Sequence, residues 1–185
     1  MGTFTSEGID GNVEIPDRVN ASKDNDILII KGRNGTIRKD FTKLPAYIEI
    51  EDKKIHIKPY GKRKKDLAIR NTARSIINNM IIGVEEGFTY KLKIVFAHFP
   101  ISVKVKGKEI HVENFFGERS PRISKIIGED TKVKVLAEDV LVEGPSLEDV
   151  SQTAANLESS TKVKNKDQRV FLDGLYIYGR EEGFK

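Results

Sequence analysis

YGKRKKDLAIRNTARSIINNMIIGVEEG, residues 60–87, is where the hydrophobic period of the chain changes. Within it Ile69, Ala73, Ile76, Ile77, Met80 and Val84 recur at three- and four-residue spacing, which makes one stripe of a helix. Gly87 stands where a helix C-terminal cap is expected. The opposite face carries Arg70, Arg74 and Asn78. Ahead of the stripe, Lys62-Arg63-Lys64-Lys65 places four cations at a helix N-terminus, where the dipole disfavours them, so an anion nearby is expected.

Working outward, apolar residues alternate instead, with the period of strands. VEIP (13–16) is a short strand stopped by Pro16, and DILIIKG (26–32) is a continuous apolar strand. GRNG then turns the chain into TIRKDF. AYIEIEDKKIHIKP (46–59) is a hairpin with Ile48, Ile50, Ile55 and Ile57 on one face. After the helix, FTYKLKIVFAHFP (88–100) is long and apolar, VKVKGKEIHVENF (103–115) turns at Gly107, and TKVKVLAEDVLVEG (131–144) alternates again. GERSPRISKIIGED (117–130) reads as a polar, basic connection. A second helix is predicted from Ser146, with Leu147, Val150, Ala154 and Leu157 on one stripe and Asp149 placed for a capping box.

The two halves overlay. Ile30-Lys31-Gly32 matches Val105-Lys106-Gly107, and Phe41 matches Phe116. Ile48 and Ile50 match Val133 and Val135, Ile55 and Ile57 match Val140 and Val142, and Thr72-Ala73 matches Thr153-Ala154. Each unit reads as strand hairpin, strand hairpin, helix and return strand. The fold class is therefore α+β: two duplicated domains, each a small antiparallel sheet with one helix packed on a face. The expected division is a loose N-terminal arm (1–12), an N-terminal domain (13–87), a C-terminal domain (88–180) and a tail (181–185).

Composition narrows the chemistry. With 38% hydrophobic and 32% charged residues, the 185-residue chain can bury a core. It has no cysteine, which excludes disulfides, thiolate chemistry and cysteine-based zinc sites. No stretch has the length of a membrane span or the pattern of a secretion signal, so an intracellular, soluble protein without a membrane partner is expected. Of the three histidines, His111 shares a strand face with Glu113, half of a possible metal site, while His98 in the aromatic run 96–99 reads as packing. Gly61-Lys62 lacks the upstream glycine of a nucleotide phosphate loop, and no nucleophile motif is present. No catalytic constellation, cofactor or complete metal site emerges.

The strongest signal is charge. The net charge is only +4, but the basic residues cluster at 31–43, 58–74, 119–134 and 162–180. The last cluster, TKVKNKDQRVFLDGLYIYGR (161–180), sets Lys162, Lys164, Lys166 and Arg169 in a turn-prone run ahead of an apolar-aromatic strand. Mobile cations on a fixed support suit a phosphate backbone. The second helix carries no lysine or arginine and there is no RNP-type aromatic octamer, so an RNA bound by shape is favoured over DNA reading. A metal-dependent enzyme using His111 and Glu113, and a protein–protein adaptor using free sheet edges, remain the alternatives at this point.

Three segments resemble one family. NTARSIINNMIIGVEEGFTYKL (71–92), KIVFAHFPISVKVKGKEIHVENFFGERSPR (93–122) and KVKNKDQRVFLDGLYIYGR (162–180) are similar, in this order, to the sixth large-subunit ribosomal protein family in its archaeal and eukaryotic form. One departure is Ser159, where the family's closing motif opens with glutamine. The resemblance implies no enzymatic activity, no cofactor, and a cytoplasmic, ribosome-bound protein that contacts large-subunit ribosomal RNA. It further implies a position near the sarcin–ricin region and stalk base, beside other ribosomal proteins and near translation factors. Carried over by motif, the RNA-contacting candidates are Lys162, Lys164, Lys166, Arg169 and Arg180, with Arg74 and Asn79 from the helix segment. Asp173 is the expected salt-bridge alternative for Arg169, and Phe171 and Leu175 are expected in the core.

Overall fold

The computed structural model of the chain describes residues 11–167 and 169–184, so the expected N-terminal arm lies outside them as far as residue 10. The chain divides after Glu85 into two compact units.

The first unit runs β1 (Asn12–Glu14), β2 (Asn20–Asp24), β3 (Ile27–Gly32), β4 (Gly35–Asp40), β5 (Ala46–Glu51), β6 (Lys54–Pro59) and α1 (Lys64–Glu85). Its strands form two antiparallel sheets, ordered β2-β3-β4 and β1-β6-β5. Alternation on the strands sends Leu28, Ile30, Ile48, Ile55 and Ile57 inward, where they meet Ala73, Ile77, Met80, Ile81 and Val84 of α1. The predicted stripe is therefore the buried one, with Ile69 and Ile76 half-buried at its margin.

Both ends of α1 are fixed by particular residues. Lys64 and Lys65 lie inside its first turn rather than ahead of it, and the expected anion is internal: the Arg63 backbone N–H donates to Asp66 Oδ2 at 2.9 Å. At the other end the β3–β4 turn covers the unpaired carbonyls. The Asn34 backbone N–H donates to the Val84 carbonyl and its Nδ2 to the Glu85 carbonyl, both at 2.9 Å. Gly32 allows this approach, because a Cβ there would meet Val84 at 2.7 Å. Gly87, with φ of +87°, ends the helix as expected. On the opposite face Arg70, Arg74 and Asn78 are all half-buried, and the Nε of Arg70 is enclosed.

The second unit runs β7 (Phe88–Val95), β8 (Ser102–Lys106), β9 (Glu109–Glu113), β10 (Arg122–Lys125), β11 (Lys132–Val135), β12 (Asp139–Gly144), α2 (Leu147–Ser160) and β13 (Gly174–Glu182). Its sheets are β10-β9-β8 and β11-β12-β7-β13, all pairs antiparallel. Ser146 caps α2 by accepting from the Asp149 N–H. Val150, Ala154 and Leu157 close the core over Leu92, Val140, Val142 and Leu175.

The units share a plan, as the reading of two duplicated α+β domains expects, but the order of strands within each differs from the one read from the sequence. Each is a strand, a three-stranded meander, a hairpin and a helix, with β1 on β6 as β7 is on β12. The segment 117–130 contains a strand, β10, and is not only a connection. The strand after α1 opens the second unit, so a return strand exists only there, as β13. In the hairpins the matched residues coincide. Ile48 faces Ile57 and Ile50 faces Ile55, as Val133 faces Val142 and Val135 faces Val140. Ala73 and Ala154 are likewise both fully buried. The meander shifts by a strand: Leu28 and Ile30 of β3 correspond to Ile110 and Val112 of β9. Phe41 donates its N–H to Asp26 as Ile126 does to Lys108, so its counterpart is Ile126 and not Phe116. Phe116 belongs to an insertion. Two residues join β3 to β4, whereas Asn114 through Pro121 join β9 to β10.

Candidate nucleic-acid interface

The closing loop, residues 161–173, leaves the C-terminus of α2 and returns to start β13 at Gly174. Its two ends are tied together. Thr161, 2% exposed, accepts the Leu175 N–H on Oγ1 at 3.0 Å and donates the same hydroxyl to the Glu158 carbonyl at 3.1 Å. Glu158 Oε1 accepts the Ile177 N–H at 3.0 Å. Arg122 reaches in from β10, donating from Nη1 to the carbonyls of Ser160 at 2.9 Å and Lys162 at 3.4 Å. It thereby satisfies a C-terminal helix carbonyl and places a cation at the negative end of α2. Its own plane is set by paired bonds to Glu118 and by stacking 4.1 Å from the Phe115 ring. Arg122 holds Glu118 below the ordinary glutamate range by that hydrogen bond.

On this base the loop alternates. Lys162 and Lys164 are exposed, while Val163 between them is buried in the core of the unit. Lys166 is exposed and sits over two rings, 4.9 Å from Phe171 and 5.4 Å from Phe116. Phe116 takes a left-handed backbone, φ 50°, rare for a bulky residue, at the turn where its ring meets Phe115 and Phe171. Phe171 packs against the core as expected and also against His98, 5.8 Å away. His98 is half-exposed rather than packed away, with Nδ1 3.7 Å from Asp173 Oδ1. Asp173, almost fully buried, accepts the Ala97 N–H at 3.2 Å and so ties the 96–99 loop to this site.

Arg169 is exposed, but its carboxylate partner is Asp167 and not Asp173. Nε and Nη2 meet Oδ1 and Oδ2 at 3.1 and 3.0 Å, and its backbone N–H adds a third bond. These hydrogen bonds hold the Asp167 carboxyl below its ordinary range and raise Arg169. Lys162, Lys164 and Lys166 have no acidic partner among the described residues. Between the loop, the end of α2 and β13 lies a cleft of about 430 Å³, lined by Ser159, Lys162, Phe171, Leu172 and Tyr176 among others. Ser159, the departure from the family motif, is thus a cleft residue.

The family model for ribosomal protein L6 matches residues 15–87 and 99–174, taking in the whole closing loop. The chain belongs to the ribosomal protein L6 family. Its relatives include large ribosomal subunit protein uL6 of Methanosarcina mazei, 46% identical over 165 residues, 89% of this chain and 93% of the relative. The uL6 of Methanosphaera stadtmanae is 48% identical over 145 residues, covering 78% and 79%. That of Staphylothermus marinus is 45% identical over 175 residues, covering 92% and 95%.

The remaining site candidates lie elsewhere. Arg180 is on β13 but six residues beyond its start, roughly 20 Å along the strand. A bulge after Ile177 puts it opposite Tyr90, with its guanidinium 5.9 Å from the Phe88 ring. Arg74 and Asn79 are half-buried on α1 in the first unit. The two residues of the half metal site have separate partners: Glu113 pairs with Lys104 at 2.6 Å, and His111 Nε2 lies 3.2 Å from Glu109. No group of three or more metal-ligating side chains occurs among the described residues. No described helix is long and apolar enough to cross a membrane.

Sequence reasoning missed the residues that hold the loop. Val163 was signalled by the Lys-Val-Lys alternation. Arg122 and Thr161 carried no sequence signal, because their partners are reached only through the fold.

Proposed function

We propose that the closing loop binds large-subunit ribosomal RNA near the sarcin–ricin region and the stalk base, where it supports the surface on which translation factors land. As a member of its family, the chain is a structural constituent of the large ribosomal subunit, ribosome-bound in the cytoplasm, and not an enzyme. The observation that carries the RNA reading is the pairing of three exposed lysines without acidic partners, Lys162, Lys164 and Lys166, with a loop whose ends are held by Thr161 and Arg122. Cations on a braced support lose little entropy when they meet phosphates. Arg169 joins them if RNA phosphate displaces Asp167. Arg180, Arg74 and Asn79 are contacts to separate RNA elements. The stretches 13–87 and 88–180 act as separate domains, with the loop belonging to the second.

The test is binding to a large-subunit RNA fragment containing the sarcin–ricin region, across a salt series. Replacing Lys162, Lys164 and Lys166 by glutamine should flatten the slope of log affinity against log salt by about 2. An unchanged slope would move the contact to another basic segment, and equal affinity for unrelated RNA would remove the site-specific reading.

A further inference from the structure

The first unit carries a second concentration of unpaired charge, and it is built beside exposed aromatic rings. Tyr47 on β5 and Tyr60, just past the end of β6, are 60% and 61% exposed, with ring centroids 4.4 Å apart and planes tilted by 43°. Tyr47 lies opposite Lys58, on the face of the sheet away from buried Ile48 and Ile57. Cross-strand packing explains why two tyrosines touch. It does not explain why both stay open to solvent where the chain enters Lys62, Arg63, Lys64 and Lys65.

Those four side chains are all exposed and meet no carboxylate among the described residues. Two acids of this region are otherwise engaged: Asp66 accepts the Arg63 backbone N–H at 2.9 Å, and Glu49 holds Lys58 at 2.6 Å. The approach is also fixed. Tyr60 donates its N–H to the Pro45 carbonyl, and Gly61 packs so closely on Asp66 that a Cβ would meet Oδ2 at 2.3 Å.

We propose that Tyr47, Tyr60 and the run Lys62–Lys65 form a second RNA-binding site, which stacks unpaired bases on the tyrosines while the cations hold the phosphates of the same strand. Flat ring faces accept bases only when these are unstacked, so the ligand is single-stranded or looped RNA and not a duplex. An RNA strand offers π faces and regularly spaced negative charge together, which is the complement of this surface. The site is independent of the closing loop.

The test uses the full chain and a short oligoadenylate, with a hairpin duplex for comparison. Tyr47→Ala with Tyr60→Ala should lose about fivefold or more in oligoadenylate affinity with little change in salt slope. Tyr47→Phe with Tyr60→Phe should retain it, since the ring and not the hydroxyl is used. Glutamine at positions 62–65 should flatten the slope instead. Photo-cross-links from the oligonucleotide should map to Tyr47 or Tyr60. The glutamine variant of Lys162, Lys164 and Lys166 should keep these cross-links, so failure of the closing-loop reading shows separately. Unchanged affinity in the alanine variant, or cross-links confined to residues 162–180, would overturn the proposal and leave the patch to a protein neighbour.

Discussion

The Leu175 backbone N–H donates to Thr161 Oγ1 at 3.0 Å, so the first residue after α2 and the second residue of β13 are joined across the whole closing loop. Both residues are buried. Thr161→Val keeps the shape and removes the acceptor, leaving an enclosed N–H unpaired. It should lower stability by about 1–3 kcal/mol, read as a fall in urea midpoint at constant m-value. A midpoint equal to that of the parent would mean the loop ends are held by packing alone.

Arg122 is a basic residue that should matter to RNA binding without touching RNA. Arg122→Gln loses two bonds to backbone carbonyls, the paired contact with Glu118 and the stack on Phe115. The expected cost is roughly 2 kcal/mol, with faster amide exchange at Lys162 and Val163. Arg122→Lys should not restore it, because the planar fork is what spans the carboxylate and the carbonyls. Full rescue by lysine would reduce the role to charge.

The Asp167 carboxyl is depressed by the Arg169 side-chain hydrogen bond first and its backbone bond second. A depressed folded-state pKa gives a contribution present above the ordinary value of 3.8 and lost as pH falls through the folded value. The pair is therefore intact at neutral pH. Arg169→Gln should return the Asp167 titration, followed by carbon NMR, toward the ordinary range. Asp167→Asn should free the guanidinium and steepen the salt dependence of RNA binding by up to about 1 in slope. A flatter slope would show that the Asp167 pair positions Arg169 for RNA instead of competing with it.

Gly32→Ala tests the close approach in the first unit. The added methyl would meet the Val84 side chain and carbonyl at 2.7 Å and push the β3–β4 turn off the end of α1. A destabilisation of about 1–3 kcal/mol is expected, together with loss of exchange protection at the Asn34 N–H. Wild-type stability would show that the turn can move without loss.

What the sequence revealed depended on whether apolar residues point inward. The hairpins β5–β6 and β11–β12 and the stripes on α1 and α2 were legible because isoleucine and valine occupy the buried positions. β10 was not, because its pattern is inverted: Ile123 is 52% exposed and Ser124 is buried. β2, with sequence NASKD, is an edge strand and nearly all exposed, so it offers no alternation to read. Missing these two strands also displaced the repeat overlay by one strand in the meander. At the site, the cations were legible from composition, but Thr161, Arg122 and Asp173 act through partners distant in sequence.

The position of β13 has a consequence for how the chain is made. It lies on the free side of β7, at the other end of the second unit's sequence, and contributes Leu175 to the core. During synthesis the first unit can close as soon as α1 has emerged. The second must wait, with one side of β7 unpaired, until β13 is released. An open apolar edge of that kind recruits other strands. The nascent second unit should therefore be most prone to self-association, and most in need of a chaperone, in the interval between the emergence of β7 and that of β13.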